Sequence, residues 1–303
     1  MTRTHSRPTG GLLGLVAGLV LSAGTLHAAS HSVELPEPEV VIPIDHQSGH
    51  VGVDVYIDGK GPYLFQVDTY ASIGACIDDD LAHELELPVV GTVLNNDGRN
   101  THTRNVVNIG SIQLGDATFG DVRTLVDDYD WIGTRKGRKV SGLLGFALFE
   151  ELLLTFDYPG SRLVLSRERI AADDPHSVAF RVDSGAPDIH LDIGGEQQLV
   201  GIDTGHGGAL SLRLEDVEEL SLHDEPVRIG QARTVYTTYD IYGARLAAPL
   251  KLAQHRIHDL DVTFSEGSTR ALMGYGLLAD YVVSFDQRSR RVRFLLPEAP
   301  ADP

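Results

Sequence analysis

Leu199-Val200-Gly201-Ile202-Asp203-Thr204-Gly205-His206-Gly207-Gly208-Ala209-Leu210 joins two apolar runs through an acid, a threonine and a string of small residues. The run before Asp203 predicts a short buried strand, and the glycines after it predict a sharp turn. A carboxylate at the end of a buried strand is costly unless it is hydrogen-bonded. Asp203 therefore either ties down the turn or takes part in chemistry. Asp-Thr-Gly recurs by chance, and alone it reads as a turn acid bonding nearby amides.

The pattern occurs twice. Leu64-Phe65-Gln66-Val67-Asp68-Thr69-Tyr70-Ala71-Ser72 again runs an apolar strand into Asp-Thr and a small-residue turn, 135 residues earlier. An apolar, helix-like segment follows each motif, Asp79 to Leu87 in the first half and Leu214 to Leu222 in the second. Later landmarks repeat as well. Gly142-Leu143-Leu144-Gly145 precedes Leu152 to Tyr158, and Ala271-Leu272-Met273-Gly274 precedes Tyr281 to Asp286, with Gly145–Asp157 and Gly274–Asp286 equally spaced. A duplication of this length is too long for a solenoid repeat and suits two lobes.

At these residues the chain resembles the pepsin-like and retropepsin-like aspartyl proteases, and in particular bacterial retropepsin-like proteases with two lobes in one chain. The resemblance covers roughly residues 50 to 295 and rests on the ordered repetition of motifs that are individually weak. It implies an all-β, two-lobed aspartic-protease fold, a duplicated retropepsin-like fold with short helices. Leu143-Leu144-Gly145 and Leu272-Met273-Gly274 are then expected beside the two motif loops. It also implies that Asp68 and Asp203 form a catalytic pair hydrolysing peptide bonds with an activated water. Thr69, Thr204, Gly205 and Ser72 are expected to support that pair. Two carboxylates sharing a site cannot both ionise, so one proton is held between them, one acid donating and the other accepting. No metal or cofactor is implied.

One position departs from the family pattern: Tyr70 stands where the first motif has glycine. A ring pointing into the lobe interface would leave an active enzyme. A ring pointing between the aspartates would exclude water and leave a relative that only binds peptide or protein. A third reading, from another class, is an envelope structural protein that uses the lobes as scaffold. The two outcomes for Tyr70 separate the first reading from the other two.

Composition fits a chain handled outside the cytoplasm. The 303 residues are 42% hydrophobic, enough for one large or two small cores. The 43 acidic and 25 basic side chains leave a formal charge of −18, which argues against nucleic acid or an anionic membrane surface as partner. Met1 to Ala29 reads as a secretory signal peptide, with Arg3 and Arg7 before the apolar stretch Leu12–Leu21 and small residues after it. That stretch is too short to span a bilayer, so no stable membrane insertion is expected after processing, and the protein is expected in the periplasm or secreted. Cys76 is the only cysteine, which excludes an internal disulfide, and it reads as a core residue.

The expected division is a signal peptide over 1–29, an N-terminal lobe over 30–170 and a C-terminal lobe over 176–298, linked by Ala171–Pro175. A monomer is expected, as a pseudo-dimer of lobes, with a peptide or protein as substrate. His50–Ile57 alternates apolar and polar residues, the pattern of a half-buried strand. Asp78, Asp79 and Asp80 offer a cap and first-turn acids to a short helix. Val93 to Val106 predicts a hairpin with an exposed Asn95–Arg99 tip, placed by resemblance where a flap covers substrate. Val235 to Gly243 is its counterpart, where Tyr236 and Tyr239 read either as a gripping surface or as ordinary strand residues. Tyr70 and His206 complete the cleft candidates, with His206 placed to influence Asp203 or to stand by at the cleft edge.

Overall fold

Strict alternation builds the strands. In Val51–Ile57 the side chains of Val51, Val53, Val55 and Ile57 are buried while Asp54 and Tyr56 face solvent, as a period of two requires. The structure is a computed structural model that describes residues 31–46, 49–96, 101–135, 137–233, 238–266 and 268–297. The expected signal peptide, Tyr236 and part of each hairpin tip lie outside the described residues. Among the described residues, no helix is long and apolar enough to cross a membrane.

The first half forms a nine-stranded sheet drawn from residues 32–145. Six of its strands close into a barrel, because Thr101–Leu114 pairs both with Val51–Ile57 and with Ala117–Asp127. The ring continues through Ala75–Asp78, Arg138–Gly145 and Lys60–Asp68. Closure removes the unpaired edges that a sheet otherwise exposes. The second half supplies a seven-stranded sheet between Asp188 and Met273. Helices are few and short, at Asp79–Glu84 and Tyr275–Leu278, with a 3₁₀ segment over Leu214–Glu219. Asp79–Glu84 and Leu214–Glu219 fall in the helix-like segments expected after the two motifs, whereas Tyr275–Leu278 is not an expected helix. Asp78 sits at the cap position, but its carboxylate makes no cap bond. It accepts from Tyr129 N and pairs with Lys139 instead.

The two halves repeat in register. Lys60–Asp68 and Arg138–Gly145 run parallel, with Gln66 opposite Leu143 and Val67 opposite Leu144. Glu196–Ile202 and Ala271–Met273 do the same, with Gly201 opposite Leu272 and Ile202 opposite Met273. Gln66 and Gly201 are therefore structural counterparts, as are Tyr70 and Gly205 at the same spacing.

A third sheet of six strands is shared by the halves. Its order is Ser177–Ala179, Arg291–Leu295, Val282–Asp286, Leu153–Asp157, Arg162–Ser166 and Glu39–Pro43. The two central strands are repeat equivalents that pair antiparallel, with Thr155 facing Ser284 and their hydroxyls 2.9 Å apart. A local twofold axis thus passes between these two residues. Phe156 and Phe285 meet edge to face near this axis, with ring centres 5.9 Å apart, and belong to one apolar cluster that runs through both halves.

Candidate active site

Each motif aspartate ends or follows a buried strand, and the chain turns directly after it. Tyr70 N and Ala71 N donate to Asp68 Oδ1 at 2.8 and 3.2 Å. Gly205 N donates to Asp203 Oδ1 at 2.8 Å. The turns are thus closed by the acids themselves, which is the structural role read from the tripeptide alone.

The local twofold brings the turns together. Thr69 N donates to Thr204 Oγ1 at 3.0 Å, and Thr204 N donates to Thr69 Oγ1 at 3.1 Å. Each hydroxyl then donates onward to the opposite strand, Thr69 to the Ile202 carbonyl at 2.6 Å and Thr204 to the Val67 carbonyl at 2.8 Å. This lattice sets the two carboxyl groups within hydrogen-bonding reach of each other. A Cβ at Gly205 would lie 2.7 Å from Asp68 Oδ2 and 3.1 Å from Asp203 Oδ1, so only glycine leaves room for the pair.

Both acids are buried, Asp68 at 2% exposure and Asp203 at 0%. Burial, then the Asp68 charge, pushes the Asp203 carboxyl well above the usual carboxylate range. Burial also raises Asp68, but the amides of Tyr70 and Ala71 and the bond from Asp203 pull it back. Asp203 Oδ2 takes no bond from any other described group. Burial raises both carboxyls, and two acids so placed favour holding a proton over ionising together.

Residues 53–148, which carry the first motif and its Leu143-Leu144-Gly145 partner, match the family model described as aspartyl protease. The described residues are mostly strand, with few short helices and a β-barrel, and the first half is similar to that family. The family match covers less than half of the chain. The solved structures that are similar include basic 7S globulin from soybean, at 11% identity over 86% of this chain and 95% of that chain, with a TM-score of 0.49. They also include a retropepsin-like aspartic protease from Rickettsia conorii, at 21% identity over 45% of this chain and 94% of that chain, with a TM-score of 0.30. No curated protein matches the sequence.

Tyr70 points its ring into the interface between the halves, the first of the two outcomes expected for it, and forms no cleft wall: the residue is 1% exposed and packs against Gly201 of the second half. Its φ is not in the left-handed region, so tyrosine adds no backbone strain here. Ser72 does not support the pair, since its hydroxyl makes no hydrogen bond and its Cβ lies against Gly185. His206 is fully buried and not at a cleft edge. Its amide donates to the Asp203 backbone carbonyl at 3.1 Å, and its Nε2 meets Ser211 Oγ at 2.9 Å.

The two hairpins are present. Val89–Asn96 pairs with Thr101–Leu114, and Val227–Arg233 with Thr238–Arg245. Tyr239 is partly buried against Ile241 in the second hairpin. The acids Asp78, Asp128 and Asp130 approach one another closely enough for a metal, yet Lys139 Nζ already pairs with Asp78, Asp80 and Asp130 at 2.8, 3.1 and 2.7 Å.

One site residue carries no signal in the sequence. His50 opens an alternating strand, like many surface histidines, but it is 5% exposed and its ring bonds to the Gly205 backbone. Nδ1 of His50 and of His206 has no partner. Burial, with the nearby Arg135 charge, lowers His50 to about 4. Burial, with His50 beside it, lowers His206 to about 4. Both imidazoles are neutral at ordinary pH.

Proposed function

We propose that this protein is an aspartic endopeptidase whose catalytic residues are Asp68 and Asp203. The observation that carries the reading is the pair itself, two buried carboxyls held across the twofold. Asp68, with two backbone donors, is the ionised member. Asp203, the more strongly raised, is the protonated one.

In the reaction, Asp68 takes a proton from water as the water oxygen bonds to the scissile carbonyl carbon. Asp203 gives its proton to the carbonyl oxygen, which yields a neutral tetrahedral diol. Collapse breaks the carbon–nitrogen bond, with a proton passing from the dyad to the leaving amine, and the shared proton is restored. The substrate is a peptide or protein segment, as in the family that the first half matches. The basic, apolar and small-residue order of Met1 to Ala29 supports export before the protein acts.

The test is cleavage of denatured protein by the purified mature chain between pH 3 and 7, with and without a statine-type inhibitor. Cleavage that the inhibitor blocks, and that disappears in Asp68→Asn and in Asp203→Asn, is the expected result. An inert parent, or cleavage that persists in either variant, overturns the reading.

A further inference from the structure

Tyr70 replaces the glycine of the first motif, and the structure shows where its side chain goes. The hydroxyl donates to Asp188 Oδ1 at 3.0 Å and accepts from Arg270 Nη1 at 2.8 Å. Arg270 Nη1 lies 3.5 Å from Asp188 Oδ2, which also accepts from Ser184 Oγ at 3.0 Å. The Arg270 guanidinium carbon is 5.9 Å from the centre of the Tyr70 ring. Asp188 is 3% exposed. A residue of the first half is thus seated in a charged, hydrogen-bonded socket built wholly by the second.

The socket has a floor that fits the ring. Asp188 pairs directly with Gly201 across the sheet, and Arg270 immediately precedes Ala271, the partner of Val200. A Cβ at Gly201 would lie 2.6 Å from Tyr70 Cζ and 2.7 Å from its hydroxyl, so no larger residue can stand there. The counterpart of Gly201 in the first half is Gln66, and the counterpart of Tyr70 in the second is Gly205. One side of the twofold combines a large ring with a glycine floor. On the other side the glycine falls in the motif loop and the larger residue in the strand. The exchange of sizes between halves marks the ring as fitted to its site.

We propose that Tyr70 is a positioning residue for the catalytic pair, fixing the Asp68 loop against the second half through Asp188 and Arg270. The proposal rests on the endopeptidase reading of Asp68 and Asp203. Its physical basis is short range. The Tyr70 amide donates to Asp68 Oδ1, so the residue whose ring is anchored is the same residue that holds the base. A loop free to shift by an ångström loses the alignment of base, water and carbonyl, at a cost of up to about a hundredfold in rate. The anchor acts on the geometry of the pair and makes no contact with substrate.

Tyr70→Phe keeps the ring over Gly201 and removes only the hydroxyl, so the variant folds. Asp188→Leu removes the acceptor from the other side. Each is expected to lower kcat about tenfold with KM changed less than twofold, and to weaken statine-type inhibitor binding by a similar factor. The double variant is expected to be no worse than either single one, because the two groups act through one bond. If Tyr70→Phe, folded at the assay temperature, keeps kcat and inhibitor affinity within twofold of the parent, Tyr70 is packing only and the proposal falls. Full additivity in the double variant overturns it too. An inactive parent overturns the endopeptidase reading and this proposal together, whereas an active parent with an unaffected Tyr70→Phe overturns this proposal alone.

Discussion

Thr69 and Thr204 each donate a backbone amide to the other's hydroxyl, at 3.0 and 3.1 Å, on the axis relating the two halves. Each hydroxyl spends its proton on a carbonyl of the opposite strand. Every polar group in this exchange is buried and has a partner, and each hydroxyl serves two of them.

Valine at either position is therefore expected to be severe despite its matching shape. Thr69→Val leaves the Thr204 amide and the Ile202 carbonyl without partners, and Thr204→Val does the same to the Thr69 amide and the Val67 carbonyl. At about 1–3 kcal/mol for each orphaned group, either change costs roughly 2–6 kcal/mol. The double variant costs less than the sum, because the two hydroxyls belong to one network. Urea titration of the three variants measures both effects.

Asp203→Asn is expected to abolish cleavage and yet to flatten one part of the pH dependence of stability. The folded-state value of Asp203 lies above its unfolded value. Its contribution is thus fully present below the ordinary carboxylate range and is lost as pH rises through the raised value. The asparagine variant lacks that loss. The stability difference, variant minus parent, should grow from pH 4 upward. A difference that stays flat would show that the pair is not strained by its second charge.

The buried histidines act in the opposite direction. His50 and His206 fall to about 4 when folded, so the unfolded chain takes up their protons first as pH drops from 6.5. Each gives stability that is complete above pH 6.5 and is progressively lost toward pH 4, by about 3 kcal/mol at 1.36 kcal/mol per unit. His50→Gln and His206→Gln should each remove part of this slope in melting curves taken between pH 4 and 7. Parent and variants with parallel curves would refute it.

Gly205→Ala tests the crowding at the pair. The added methyl is directed at Asp68 Oδ2 and can be housed only by separating the carboxyls. Cleavage is expected to fall by about a hundredfold or more, the scale of an ångström misplacement. Statine-type binding should fall with it, while the far-ultraviolet circular dichroism remains that of the parent.

Much of the fold was legible because it is local and repeated. Alternation marked Val51–Ile57, and the equal spacing of Gly145–Asp157 and Gly274–Asp286 marked equivalent strands. The sequence does not say that those strands pair with each other through Thr155 and Ser284, since periodicity is blind to partners. The candidate site divides in the same way. Asp68, Asp203, both threonines and Gly205 follow from the motif. The place of Tyr70 depends on Asp188, Gly201 and Arg270, which are remote in sequence and carry no motif. A signal was available in the aligned halves, where Gln66 faces Gly201 and Tyr70 faces Gly205, but only if the exchange of sizes is read across the repeat. His50 gave none, and Ser72 was misread because a small polar residue after a motif loop resembles a ligand of the loop.

The seating of Tyr70 over Gly201 also bears on how such a molecule can arise. In a homodimer encoded by one gene, both motif loops carry the same residues. Two copies of the first half would drive each tyrosine onto the other's Gln66. Two copies of the second, with Gly201 and Gly205, would leave the socket without a ring on either side. Neither symmetric assembly can hold the anchor, so it exists only where the two halves differ in sequence, one carrying the ring and the other the glycine that receives it.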